Sequence, residues 1–133
     1  MTIWYISTTG SDTSGDGSLG NPYATASKCI TVSVNGDTIK YLNGTYTITN
    51  ATDLSKQVTV TSNSGVKTDV VLSASITIFN IQESNVIISN MTLQTSDTSS
   101  LITIDRMSTG STVPTFWSGN SITGCNLKYV TNC

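Results

Sequence analysis

From Thr38 onward the sequence breaks into short strand-like runs. They cover 38–42, 45–49, 57–61, 70–73, 76–79, 86–88, 91–94, 101–105, 121–123 and 126–130. Each is three to five residues long, and most are bounded by Asn, Gly, Ser or Asp. β-Branched side chains fit the pleated surface of a sheet, and the bounding residues supply turns. No run with helical periodicity separates them, which argues against alternating strands and crossover helices. Strands this short cannot bury an apolar face alone and have to stack on one another. About a third of the chain is Ser or Thr, and the hydrophobic share is only 37%. The apolar centre is therefore small and most outward positions are polar.

The first 36 residues follow another pattern. The stretch 3–7 alternates and carries Trp4 and Tyr5, which predicts a strand. Residues 8–21 form a polar, glycine-rich loop. Within 22–34, apolar residues at 23, 26, 30 and 34 fall at three- and four-residue steps and predict a short helix. Asn35-Gly36-Asp37 then marks a turn.

A weak internal repeat runs through the second half of the chain. Asn85-Val86-Ile87-Ile88-Ser89-Asn90-Met91-Thr92-Leu93 resembles Asn120-Ser121-Ile122-Thr123-Gly124-Cys125-Asn126-Leu127. In both, an Ile precedes a Leu by five residues: Ile88 to Leu93, and Ile122 to Leu127. Ile76-Thr77-Ile78 likewise resembles Ile102-Thr103-Ile104. Repeats of about 25–35 residues, each with about three short strands, suit the coils of a parallel β-helix. An antiparallel sandwich competes, because short strands with frequent turns suit it too. Hairpin signals are few, however, and Asn43-Gly44 is the best of them.

Four elements at the N-terminus carry a family resemblance. They are Trp4-Tyr5-Ile6-Ser7; Gly10-Ser11-Asp12 with Gly15-Asp16-Gly17-Ser18; Asn21-Pro22-Tyr23-Ala24-Thr25; and Gly36-Asp37-Thr38-Ile39 with Asn43-Gly44-Thr45-Tyr46. In order and spacing this segment resembles the N-terminal cap of right-handed parallel β-helix proteins of the pectate-lyase-like group. The resemblance implies a short helix covering one end of the apolar column, and a polysaccharide as the substrate class. It also implies that a catalytic base and calcium-binding carboxylates belong on later, central coils. The reading is thus an all-β chain, a right-handed parallel β-helix of about three coils, with a short N-terminal capping helix. Residues 1–36 form the strand, loop and cap, and 37–133 form the coils of the same domain.

Charge and residue types narrow the function. Six Lys and Arg, spread singly in a chain of net charge −2, do not make a nucleic-acid footprint. No apolar run is long enough to span a bilayer, and no signal peptide is visible at the N-terminus. An extracellular or virion-associated setting is expected. His is absent, and Cys29, Cys125 and Cys133 are scattered, so a zinc site is not expected. Cys29 and Cys125 read as small core residues.

The candidate bases and acids are Lys40, Lys56, Lys67, Arg106 and Lys128, with Asp69, Glu83, Asp97 and Asp105. None recurs at the coil period in a way that places a base beside two acids, so no catalytic residue is assigned. Asp12 and Asp16 are the candidate calcium ligands, since hard cations take clustered oxygens. Phe116, Trp117 and Tyr129 are the candidate carbohydrate-stacking residues. Thr-x-Thr runs at 45–49 and 59–61 do not continue in register, which argues against an ice-binding array.

The functional expectation is a non-enzymatic structural or glycan-adhesive module of a surface, fibre or virus particle. Its partner is a polysaccharide or cell-surface glycan, with self-association or continuation through the C-terminal coil. The alternative is the N-terminal portion of a polysaccharide lyase or hydrolase whose catalytic coils lie downstream.

Overall fold

The computed structural model describes residues 1–95, 100–104 and 119–129. They form twelve strands and one helix. In chain order these are β1 (Ile3–Ile6), α1 (Ala26–Val32), β2 (Thr38–Tyr41), β3 (Gly44–Ile48), β4 (Thr52–Leu54), β5 (Thr59–Ser62), β6 (Val70–Ala74), β7 (Phe79–Ile81), β8 (Ile87–Ser89), β9 (Thr92–Thr95), β10 (Ile102–Ile104), β11 (Ser121–Thr123) and β12 (Asn126–Tyr129). Three sheets result. The first has the order β1-β2-β5-β8-β11, the second β3-β6-β9-β12 and the third β4-β7-β10. After α1 the chain visits the first, second and third sheet in turn, then begins again. Every strand pairing is parallel, which overturns the sandwich alternative and is compatible with a β-helix-like fold.

Side-chain alternation along each strand sends one set of residues inward, and the parallel register lines these sets up into columns. In the first sheet Ile39, Val60, Ile88 and Ile122 stack. In the second, Tyr46, Leu72, Leu93 and Leu127 do so. Leu54 and Ile81 stack in the third. All but the last member of the first two columns are buried. Ile122 and Leu127 remain 39% and 52% exposed.

The short helix covers the other end of this core. Thr25 caps it, accepting from Lys28 N at 3.2 Å, and Ala26, Cys29 and Ile30 face inward. Lys56 holds the opposite helix end by donating from Nζ to Ile30 O at 2.6 Å and to Ser33 O. The helix is shorter than the predicted 22–34. Tyr23 instead bridges to Ile6, and Asp12 Oδ1 accepts from Ala24 N and Thr25 N at 2.8 and 3.1 Å. The backbone amides before Thr25 are thus committed to the loop.

The repeat seen in the sequence holds at 34 residues. Ile88 pairs with Ile122 and Leu93 with Leu127. At the corners Asn85 and Asn90 take left-handed backbone, φ 58° and 56°, and Gly119 and Gly124 lie against them with φ 74° and 60°. Asn and Gly are the residues that accept this conformation at least cost. Asn120, in contrast, stands one position off this register and accepts from Val86 N at 2.8 Å.

The second proposed repeat needs correction. Ile102 pairs with Phe79, not Ile76, so the strand is Phe79–Ile81 and not 76–79. This register puts Asn80 outward between Asp53 and Thr103, and all three are hydrogen-bonded. β4 was not predicted at all, because three residues with an Asp in the middle carry too weak a pattern. Asn43-Gly44 is not a hairpin but the corner that enters β3.

Candidate functional site

The first sheet, with five strands, has the widest outer face of the three. Residues pointing away from the core form two columns in register. One runs Ile3, Thr38, Thr59, Ile87, Ser121, and the other Tyr5, Lys40, Thr61, Ser89, Thr123. Neighbouring strands are about 4.8 Å apart, and alternate residues on a strand about 6.7 Å, so these side chains form a grid. Ser89 Oγ donates to Thr61 Oγ1 at 3.1 Å, which fixes two hydroxyls of the second column relative to each other. Tyr5 stands half-exposed at one end, beside Lys40. The face therefore combines an amphipathic ring, one cation and a run of hydroxyls. Lys40 and Ile87 interrupt the hydroxyls, so the face is not a uniform threonine array.

The other two sheets carry similar outward ladders. In the third sheet Asn80 Nδ2 donates to Asp53 Oδ1 at 2.9 Å and Thr103 Oγ1 donates to Asn80 Oδ1. In the second, Gln94 Nε2 donates to Ser73 Oγ at 3.3 Å. Polar side chains stacked on one another in this way satisfy their own hydrogen bonds and are held in place.

The residues singled out from the sequence are dispersed. Asp12 accepts from Ala24 N, Thr25 N and, at 2.7 Å, Thr25 Oγ1. Asp16 accepts from Ser18 N at 2.9 Å, and hydrogen bonds from Ser18 hold its carboxyl below its usual range. Both carboxylates brace their own loop. Among the described residues no three His, Cys, Asp or Glu side chains gather as a metal would require. Tyr129 closes β12 in register with Thr95. Phe116 and Trp117 lie outside the described residues, as do Cys133, Asp97, Asp105 and Arg106.

The remaining candidate bases and acids do not converge on one another. Lys56 is spent on the helix carbonyls, Lys67 is exposed, Lys128 is on the outer face of the second sheet, and Glu83 accepts from Ser84 N. Trp4 and Tyr23 pack back onto the fold, stacked with ring centres 6.1 Å apart. Burial pushes the Cys29 thiol up to about 12, with Asp12 adding to it, and burial raises Cys125 as well. Both are free thiols, and a raised thiol pKa disfavours the reactive thiolate.

The sequence contained no sign of the face built from Tyr5, Lys40, Thr61 and Ser89. These residues lie 21 to 35 positions apart, and only the parallel register brings them together. Comparison with protein families, with curated proteins and with solved structures returns no match.

Proposed function

We propose that this chain is a right-handed parallel β-helix module with a structural or glycan-adhesive role on an extracellular surface, fibre or virus particle. The observation that carries this reading is the grid on the first sheet. Hydroxyls held at fixed spacing, with Tyr5 able to lie under a sugar ring, match a polymer that repeats its own hydroxyls. Each contact is weak, but several on one chain add through effective concentration. The fit is to a neutral or mildly acidic polysaccharide, since Lys40 is the only charge in the two columns. The exposed Ile122 and Leu127 offer an apolar layer for a further coil, whether from this protein or from a second copy.

Retention on a panel of immobilised polysaccharides tests the adhesive reading. Tyr5→Ala and Thr61→Ala are expected to weaken retention several-fold without changing the circular dichroism spectrum. Unchanged retention in both variants moves the site elsewhere. Sustained release of unsaturated products from acidic polysaccharides by this chain alone would sink the non-enzymatic reading. For the apolar layer, a monodisperse monomer in sedimentation at high concentration would count against self-association.

A further inference from the structure

The three sheets do not begin at the same level. The first sheet has an extra strand, β1, placed before β2, whereas the second starts at β3 and the third at β4. The chain has left the path of the sheets by Thr8, whose methyl lies 2.8 Å from where a Cβ on Gly44 would stand. It returns as α1, which packs against β4 and β1. The position beside β3 in the second sheet is left vacant.

A cleft of about 380 Å³ occupies that position. Thr45, Thr47 and Ile48 form one wall, and Thr8, Thr25 and Ser27 lie across from them. No charged side chain lines it. Its inner end is closed by Tyr46, whose hydroxyl is within hydrogen-bond distance of Leu42 O at 2.7 Å and Ile6 O at 3.2 Å. Burial pushes the Tyr46 phenol up to about 12, so it is a neutral donor here.

The backbone of β3 shows what this cleft presents. Gly44 N donates toward β6, to Asp69 O at 2.9 Å. In a parallel ladder the N–H and C=O of one residue point to the same side, and the next residue reverses them. Gly44, Tyr46 and Ile48 therefore bond to β6, and Thr45 and Thr47 turn their N–H and C=O toward the cleft. An open edge of this kind is a template for another strand.

We propose that the cleft binds an extended, uncharged peptide segment that pairs with β3 and extends the second sheet by one strand, as β1 extends the first. Five residues of β3 accommodate a segment of about five residues, about 17 Å long. Alternation sets its composition. Side chains on the outer face sit beside Thr45 and Thr47 and are small and polar. Those on the inner face approach Ala26 and Tyr46 and are small and apolar. A sugar has no backbone N–H and C=O at two-residue intervals to match the edge, so this site is distinct from the proposed glycan face.

The test uses the whole chain and the blocked peptide acetyl-Ser-Val-Ser-Val-Ser-amide. In free protein the Thr45 and Thr47 amides are expected to exchange rapidly with solvent, and those of Tyr46 and Ile48 slowly. Saturating peptide is expected to protect Thr45 and Thr47. Thr47→Pro removes the edge donor while leaving the bonds to β6 intact, and is expected to weaken binding about tenfold. Thr47→Val keeps the donor and is expected to bind as the parent does.

The proposal is overturned if both amides are already protected without peptide, or if no saturable protection appears at millimolar peptide. Equal loss of binding in Thr47→Val and Thr47→Pro would assign the contact to the Thr47 hydroxyl, which both variants lack, and also overturn it. Protection that grows with protein concentration and needs no peptide would assign the edge to a second copy, again against the proposal. Should Thr47→Pro fail to fold, the amide exchange of the parent chain decides alone.

Discussion

Asp37 shows how one residue ties the first strand to the turn that follows the helix. Its side chain is 1% exposed and accepts from three separate donors. Thr2 N reaches Oδ1 at 2.8 Å, and Trp4 Nε1 and Val34 N reach Oδ2, both at 3.0 Å. Burial alone would raise the carboxyl pKa, but these donors and the nearby α-ammonium outweigh it and hold the pKa below the usual value. A carboxylate lowered on folding contributes stability that is present above its unfolded value, about 3.9, and lost as pH falls through the folded one. The thermal midpoint is therefore expected to stay level from neutral pH to about 5 and to fall below about 4. Asp37→Asn places an amide N–H₂ among groups that can only donate, at a cost of about 2 kcal/mol. It should also flatten the acid limb in thermal melts recorded against pH. Ser62 gives the opposite case. Its hydroxyl is the only buried side-chain polar atom among the described residues without a partner. Ser62→Ala removes an unsatisfied group and is expected to be neutral or stabilising by up to about 1 kcal/mol in urea melts.

At the level of elements, α1 depends on its ends more than on its sequence. Seven residues are too few for a stable helix in isolation, and Thr31 and Val32 are weak helix formers. Thr25 and Asp12 fix the start, and Lys56 fixes the finish. Thr25→Ala is expected to cost about 1 kcal/mol through loss of the cap, read as a lower urea midpoint with an unchanged slope. The exposed outer ladders contribute less to stability. Asn80→Ala breaks both bonds of the Asp53–Asn80–Thr103 ladder at an outward position, with an expected loss of about 1–2 kcal/mol in the same measurement.

For the whole molecule, stability resides in the stacked columns. Leu72 is fully buried between Tyr46 and Leu93. Leu72→Ala is expected to cost about 3–5 kcal/mol through lost burial and the cavity left behind, and to lower the thermal midpoint further than any outer-face substitution. Calcium is expected to leave that midpoint unchanged, since Asp12 and Asp16 already accept from their own loop. A saturable rise with added calcium would identify them as ligands.

The sequence determined the parts whose causes are local. β-Branched runs and bounding turn residues located most strands, and three- and four-residue spacing located the helix. The shared Ile-to-Leu step of 88–93 and 122–127 even carried the true register. It could not locate β4 or distinguish 76–79 from 79–81, because such short runs are chosen by what they stack on. Asn80 settles the second case by meeting Asp53 and Thr103. Only the tertiary structure decided which residues share a surface. Parallel pairing joins Tyr5, Lys40, Thr61 and Ser89 across intervals of 21 to 35 residues, and no local pattern encodes that alignment. The same holds for the cleft beside β3. The departure of the chain from the path of the sheets is legible as a polar loop, but the open edge it leaves exists only once β1, β3 and α1 are in place.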